Sequence, residues 1–193
     1  MKKNLITLLC LFITLVSVAQ ENLLQSGPMV GYSDFREALI WVQTTEAAEV
    51  KIGYFATGET EKFTKSIATT EAGDFIAKLT PNEVDYGKTY TYKLYINNKH
   101  VPRDYKLAFQ TQTLWQFRTD PPNFKIALGS CSFINETKDD RPKPYGGKYQ
   151  IFNSILAKNP DLMLWVGDNM YLRTPDFMTE TGIRHRYRHT RAT

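Results

Sequence analysis

The sequence predicts an antiparallel β-sandwich followed by the beginning of an α/β domain, and three observations support this organisation. The stretch up to residue 118 alternates apolar and polar residues with a period of two. The stretch after it contains two continuous apolar runs separated by a helical pattern. Between the two stretches, Asp120-Pro121-Pro122 interrupts the chain and marks a domain boundary. We therefore predict a sandwich over residues 24–119 and an incomplete α/β domain over residues 120–193.

The composition is that of an ordinary globular protein, with 42% hydrophobic and 23% charged residues. The formal net charge of +4 comes from 24 Lys and Arg against 20 Asp and Glu. Six of the basic residues lie near the chain ends, at Lys2, Lys3, Arg184, Arg186, Arg188 and Arg191. Without them, the chain has 18 basic and 20 acidic residues. The body of the protein therefore lacks the basic surface that nucleic-acid binding requires.

The N-terminus has the pattern of an export signal. Two lysines precede an apolar run, Leu5–Val18, which is short for a membrane span of about 20 residues. The small residues Ser17 and Ala19 fit cleavage before Gln20. We expect a signal peptide at 1–19 and an exported protein, secreted or periplasmic, without a stable membrane anchor after cleavage. The alternative is a buried core helix.

Four segments of the predicted sandwich have the period-two pattern of half-buried strands. Turn-forming residues separate strands in this part of the chain at intervals of about ten residues, as in antiparallel sandwiches. The four segments are 39–44, 50–54, 75–80 and 90–95. Trp41, on the first of them, is expected to fill the core between the two sheets.

The corner before the last of these segments resembles that of fibronectin type III domains. Leu79-Thr80-Pro81 is followed by Gly87-Lys88-Thr89-Tyr90, and in such corners a tyrosine hydroxyl hydrogen-bonds back to the upstream backbone. The carboxylates here lie mostly near turns and form no catalytic pattern. We interpret His100 as a solvated loop histidine and the tyrosines of 90–95 as packing residues, because no positive groove accompanies them.

The predicted α/β domain begins with the pattern strand, helix, strand. The apolar runs 124–128 and 162–166 are continuous, which is typical of parallel strands buried on both faces. Apolar residues at helical spacing over 149–156 predict the helix between them. A right-handed crossover would make the two strands parallel neighbours.

Three side chains with metal-binding chemistry follow these two strands. Cys131 comes after the first strand and Asp168 after the second, so both project from one sheet edge if the strands are neighbours. Tyr171 can reach back over that edge. A thiolate, a carboxylate and a phenolate resist burial together without a cation. Trivalent iron suits this set and could bind a phosphoryl oxygen as a Lewis acid.

Other interpretations of these residues are open at this point. Gly167-Asp168 alone also fits an ordinary strand-to-loop turn. Cys131, the single cysteine after signal cleavage, could pair with another chain, react as a free thiol or pack as a small buried hydrophobe. A hydrolase using Cys131 or Ser130 would lack the glycine that follows the nucleophile in a nucleophile elbow. His185 and His189 are spaced as in helical zinc pairs, but the surrounding arginines favour a solvated basic helix face.

The two strand ends also resemble a known family. The runs Phe124–Phe133 (FKIALGSCSF) and Pro160–Tyr171 (PDLMLWVGDNMY) are similar to the start of the catalytic domain in the alkaline phosphatase D (PhoD-like) family. These proteins are metal-dependent phosphoesterases related to the calcineurin-like metallophosphoesterases. Members of the family often carry an immunoglobulin-like or fibronectin-like domain N-terminal to the catalytic domain. That domain ends in a segment similar to Phe117-Arg118-Thr119. The resemblance covers nearly all of the chain after the signal.

The resemblance implies a role for each of the three residues. Cys131 and Tyr171 would bind a ferric ion, and Asp168 would bridge that iron to a second metal, calcium. The metals would orient phosphate and activate the attacking oxygen, with phosphate mono- or diesters as substrates. The family's remaining ligands, an Asp-Asp-His motif and a late histidine-rich motif, are not in this sequence. We therefore expect an N-terminal fragment with little or no activity. The alternative is a non-catalytic exported β-sandwich binding module.

Overall fold

The computed structural model describes residues 23–134, 136 and 148–192, and the chain divides into two compact units, Met1–Thr119 and Asp120–Thr193. The predicted signal peptide and most of the polar loop that follows residue 134 lie outside the described residues. In the described part of the chain, no helix is long and apolar enough to cross a membrane.

The N-terminal unit is an antiparallel sandwich of two sheets, which confirms the predicted fold class. Its strands, within the described residues, are β1 (Leu24–Ser33), β2 (Ala38–Thr44), β3 (Glu49–Phe55), β4 (Lys62–Phe63), β5 (Ile67–Ala68), β6 (Ile76–Leu79), β7 (Thr89–Ile96), β8 (Lys99–Val101) and β9 (Ala108–Gln110). One sheet has the order β1-β2-β6, and the other has the order β4-β3-β7-β8, with β5 beside β3 and β9 beside β7. The four predicted segments are β2, β3, β6 and β7. Strand β1 is not among the predicted segments, and register shifts interrupt its pairing with β2. Strands β4, β5, β8 and β9 are too short to show an alternation in the sequence.

The hydrophobic core lies between the two sheets and is formed mainly by alternate residues of β2, β3, β6 and β7, together with Phe109 of β9. The first sheet contributes Ile40, Val42, Ala77 and Leu79, and the second contributes Val50, Ile52, Tyr54, Tyr90, Tyr92 and Leu94. Trp41 is not part of this core, so its predicted position is wrong. Residues on both faces of β2 are apolar, and the face with Ile40 and Val42 is the buried one. Trp41 lies half-buried on the opposite face beside Gly27.

The tyrosine corner predicted before β7 is confirmed. The Tyr90 hydroxyl accepts a hydrogen bond from the backbone N–H of Asp85 at 2.8 Å. The Tyr90 ring stacks on Phe109, with centroids 5.3 Å apart, and meets Tyr54 edge-on at 6.2 Å. Tyr54 in turn accepts a hydrogen bond from the N–H of Glu83 at 3.2 Å. Two core tyrosines therefore hold the loop between β6 and β7 onto the sandwich.

The hairpin between β7 and β8 explains where His100 lies. Asn97 and Asn98 both have positive φ, at 48° and 62°, as a two-residue hairpin turn requires. His100 follows within β8 and not in a loop, so that part of the prediction is wrong. It is exposed, and its ring lies 5.6 Å from the Tyr95 ring.

The C-terminal unit begins with the parallel βαβ segment that the sequence predicts. Its elements, within the described residues, are β10 (Ile126–Gly129), α1 (Gln150–Leu156), β11 (Leu162–Trp165), a 3-10 helix (Thr174–Asp176) and α2 (Glu180–Ala192). β10 and β11 pair in parallel, from Ile126 opposite Leu162 to Gly129 opposite Trp165. The residues that follow the two strands therefore emerge at the same edge.

The expectation that both faces of this parallel pair are buried is wrong for the described residues. On one face, Met163 and Trp165 are half-buried beside α1, whose Phe152 ring lies 6.3 Å from that of Trp165. On the other face, Leu128 is 67% exposed and Leu164 is 49% exposed. Helix α1 covers one face only, and this explains why the apolar runs are not buried on both.

We expect Tyr90→Phe to lower the free energy of unfolding of the sandwich by about 1 kcal/mol, because the N–H of Asp85 loses its acceptor. Urea unfolding followed by far-ultraviolet circular dichroism measures this change. Tyr86→Phe, at a tyrosine that is 49% exposed, is the control and should leave the unfolding midpoint unchanged. Equal midpoints for the two variants would contradict the assigned role of the corner.

Candidate metal centre

The side chains of Cys131, Asp168 and Tyr171 lie together beyond the carboxyl ends of β10 and β11. The first loop (residues 130–134) carries Cys131, and the second loop (residues 166–173) carries the other two. The Tyr171 hydroxyl donates a hydrogen bond to Asp168 Oδ2 at 2.8 Å, and Cys131 Sγ lies 3.7 Å from the same oxygen. One carboxylate oxygen thus contacts both other donors. Cys131 is free and exposed, so its interpretation as a small buried hydrophobe is wrong.

Backbone contacts between the two loops continue the alignment of the strands. The N–H of Val166 donates to the carbonyl of Gly129, and the N–H of Ser132 donates to the carbonyl of Asp168, each at 2.9 Å. Cys131 and Asp168 both have left-handed φ, at 59° and 50°. This conformation costs roughly 1 to 3 kcal/mol in a residue with a Cβ atom, and it is concentrated at functional sites. The strained turns aim the thiol and the carboxylate at each other.

The electrostatics of the three groups favour a cation. Hydrogen bonds to Cys131 and Asp168 raise the pKa of the Tyr171 phenol above its usual range. Among the described residues, no lysine, arginine or histidine forms an ion pair with Asp168. A bound cation would reverse the shift, because it stabilises the phenolate and the thiolate.

The donor set fits a metal ion, although it is small. Groups of three His, Cys, Asp or Glu that could hold a metal ion do not occur among the described residues. The thiol of Cys131, the carboxylate of Asp168 and the phenol of Tyr171 together are three donors of different hardness. Iron accepts such a mixed set, because it binds both hard oxygen and thiolate ligands. A site with two metals needs further ligands beyond these three.

A cavity of about 420 Å³ lies beside Cys131, within the C-terminal unit. Its lining includes the apolar side chains Leu128, Phe133, Ile134, Phe152, Ile155 and Trp165. Ser130 and Ser132 contribute hydroxyl groups to the lining. Mostly apolar walls with a few polar groups are typical of small-molecule sites.

A network of charged side chains connects the second loop to α2, and the sequence pattern does not reveal it. Asp176, at 2% exposure, accepts hydrogen bonds at 2.8 Å from Arg186 Nε and from the N–H of Arg173. Arg186 is 1% exposed and also lies 3.4 Å from Glu136. The interpretation of α2 as a solvated basic face is therefore wrong for Arg186. His185 is exposed, and its Nε2 lies 3.0 Å from Glu136.

Burial and hydrogen bonding act on Asp176 in opposite directions. Burial would raise the pKa of its carboxyl, but the hydrogen bonds from Arg186 and from the backbone of Arg173 outweigh it. The pKa therefore lies below its usual range. The charged form is the one that the fold stabilises.

The sequence matches one family model and no curated protein. Residues 21–114 match the model described as a domain of unknown function, DUF7800. No curated protein matches this chain. The matching model covers most of the sandwich and ends before the candidate metal centre.

Several solved structures are similar to this one. The structure of PhoD has a TM-score of 0.59 and 14% identity, over 84% of this chain and 34% of that chain. The sensor domain of the anti-sigma factor RsgI4 from Pseudobacteroides cellulosolvens has a TM-score of 0.38 and 18% identity, over 51% of this chain and 97% of that chain. A fibronectin type III domain from the human KIAA0970 protein has a TM-score of 0.36 and 13% identity, over 54% and 82% of the two chains.

The similarity to PhoD is a similarity of fold. It extends over both units of this chain, whereas the chain spans about a third, 34%, of the length of the PhoD structure. At 14% identity, fold alone does not carry an activity from one protein to another. The assignment of function therefore depends on the site.

We expect Asp176→Asn to weaken the docking of α2 by about 3 kcal/mol, because the buried Arg186 loses its closest anionic partner. Amide hydrogen exchange in α2 measures this loss. Glu180→Gln is the control, since Glu180 forms an exposed pair with Arg184 on the same helix and such pairs contribute little. Equal exchange rates in the two variants would contradict the role of Asp176.

The same network predicts that the stability of α2 depends on pH, through the carboxyl of Asp176. A carboxyl whose pKa is lower in the folded than in the unfolded state stabilises the fold above its unfolded pKa, which is about 4. That stabilisation is lost as the pH falls through the lower, folded pKa. Protection of α2, corrected for intrinsic exchange rates, should therefore decrease below about pH 4 in the wild type. The decrease should be smaller in Asp176→Asn, where Glu136 still contacts Arg186 and His185 and is protonated in the same range.

Proposed function

We propose that this protein is a metal-dependent phosphoesterase of the PhoD type, with Cys131, Asp168 and Tyr171 as metal ligands. One observation carries the proposal: a phenol and a thiol lie 2.8 and 3.7 Å from one carboxylate oxygen at the edge of a parallel strand pair. The similarity of fold to PhoD supports this class of reaction. Because the chain spans about a third of the PhoD structure, 34%, the activity of the whole protein is part of the proposal.

The three ligands would hold two metal ions. Cys131 and Tyr171 would hold Fe³⁺, and Asp168 would be a ligand of both Fe³⁺ and Ca²⁺. When bound, these ions supply Lewis acidity toward a phosphate mono- or diester. Binding requires Cys131 and Tyr171 to release their protons to solvent. The carboxylate of Asp168 orients both groups beforehand, since it already contacts the thiol and the phenol.

The proposed location agrees with the chemistry of Cys131. We propose that the signal peptide directs the protein out of the cytoplasm, to the periplasm or the medium. A free, exposed thiol is open to oxidation in such a compartment. A metal that holds Cys131 as a bound thiolate would protect it. The proposed partner is a phosphate ester and not a nucleic acid.

We expect the chain to bind Co²⁺ and to show the strong near-ultraviolet absorption of a cobalt–thiolate bond. Cys131→Ser should abolish this band, because it removes the thiolate. Ser132→Ala is the matched control at a neighbouring position and should retain the band. With Fe³⁺, the visible phenolate band should disappear in Tyr171→Phe and persist in Tyr187→Phe. A wild-type chain without a cobalt–thiolate band would overturn the proposal.

We expect little or no hydrolysis of p-nitrophenyl phosphate by the 193-residue chain when iron and calcium are added. The reason is that the three ligands among the described residues do not complete a two-metal site. The assay follows release of p-nitrophenol, with the metal-free chain as control. Robust turnover that is lost in Asp168→Asn would show that the described ligands suffice and would contradict the expected incomplete site.

A second candidate function is that of a non-catalytic exported binding module formed by the sandwich. The distribution of burial favours it. All buried apolar residues of the described part belong to the N-terminal unit, and the buried residues described in the C-terminal unit are Asp176 and Arg186. The sandwich therefore has a hydrophobic core of its own. Limited proteolysis near Asp120 that leaves a stable sandwich, in a chain that binds no Co²⁺, would favour this function.

A further inference from the structure

We propose that Arg173 is the positioning residue of the candidate metal centre. Its side chain clamps the first loop to the second loop, so that Cys131, Asp168 and Tyr171 face one another before a ligand binds. This inference rests on the metal centre proposed above, and it concerns a residue outside the donor set.

The guanidinium of Arg173 binds the backbone of both loops. Its Nη1 donates a hydrogen bond to the carbonyl of Tyr171 at 2.8 Å, and its Nη2 donates one to the carbonyl of Ile134 at 3.2 Å. The planar guanidinium presents its donors in a fixed fork, whereas a lysine ammonium is a compact charge on a flexible stem. One rigid group therefore sets the spacing between the two loops.

The same guanidinium also orients the ring of Tyr171 through Phe133. The Cζ atom of Arg173 lies 4.0 Å from the centroid of the Phe133 ring. The Phe133 ring packs against the Tyr171 ring, with centroids 5.6 Å apart and planes tilted by 49°. Tyr171 is thus held at its carbonyl by Arg173 and at its ring by Phe133. In this orientation its hydroxyl reaches Asp168.

Arg173 is itself anchored through its backbone N–H. Its N–H donates to Asp176 Oδ2, and the same oxygen accepts the hydrogen bond from Arg186 Nε. The buried Asp176 therefore fixes the backbone of Arg173 relative to α2. A continuous series of contacts runs from α2 to Tyr171. Removal of such outer partners typically lowers metal affinity by about 10- to 100-fold.

The first test needs no metal. Amide hydrogen exchange at Cys131 and Ser132 should rise by about tenfold in Arg173→Gln, as expected from loss of a charge-assisted hydrogen bond. Exchange in the paired strands β10 and β11 should stay unchanged, which shows that the C-terminal unit of the variant is folded. Arg184→Gln is the matched control, because Arg184 pairs with Glu180 on α2. It should leave exchange in both loops unchanged.

The second test measures the affinity of the chain for Co²⁺. Arg173→Gln and Arg173→Lys should both weaken binding by about 10- to 100-fold. The lysine variant distinguishes the geometric role of Arg173 from the role of its charge. It keeps the positive charge but lacks the planar, forked set of donors. Phe133→Leu should give a similar loss. The double variant Arg173→Gln/Phe133→Leu should lose less than the combined effects of the single variants, because both act through one contact.

The outcomes distinguish the clamp from the metal centre. Unchanged loop exchange in Arg173→Gln would overturn the clamp, as would wild-type Co²⁺ affinity in that variant. Full Co²⁺ affinity in Arg173→Lys would overturn the geometric role in favour of charge alone. A wild-type chain that binds no Co²⁺ would overturn the proposed function, and the exchange measurement would still decide whether Arg173 holds the loops.

Discussion

The parallel pairing of β10 with β11 is the constraint on which the candidate metal centre depends. Because the two strands run in the same direction, the residues that follow them leave the sheet at one edge. Cys131 and Asp168 then adopt left-handed backbone conformations, which turn their side chains toward each other. Tyr171 follows three residues later, and its hydroxyl joins the group through a hydrogen bond to Asp168. An antiparallel pair would place the corresponding residues at opposite ends of the strands and would give no such site.

The two units are stabilised by different interactions. The sandwich has an apolar core between its sheets, together with a tyrosine corner that satisfies the backbone N–H of Asp85. In the described part of the C-terminal unit, the buried residues are the ion pair of Asp176 and Arg186. A buried ion pair costs desolvation free energy, and its attraction offsets that cost only in good geometry. Such a pair defines the position of a loop more than it adds net stability, and this agrees with its place next to Arg173.

The site combines groups that packing alone would not bring together. A thiol, a phenol and a carboxylate converge beside a cavity with mostly apolar walls. A bound cation would stabilise the charged form of each group, and none of the described basic side chains forms an ion pair with Asp168. The matching family model ends at residue 114, so it is the geometry of the C-terminal unit that indicates chemistry. The two candidate functions differ in which unit is the functional one.

The sequence by itself determined strands β2, β3, β6 and β7 of the sandwich, the βαβ segment and the three residues that converge at its edge. These features follow from local spacing: a period of two, a helical period, and a polar residue directly after an apolar run. Tertiary structure alone decided that Ile40, and not Trp41, faces the core, because both faces of β2 are apolar. It also decided that Arg186 is buried and that Arg173 joins two loops. These outcomes depend on partners far away in the chain, such as Asp176 and Ile134, which no local pattern identifies.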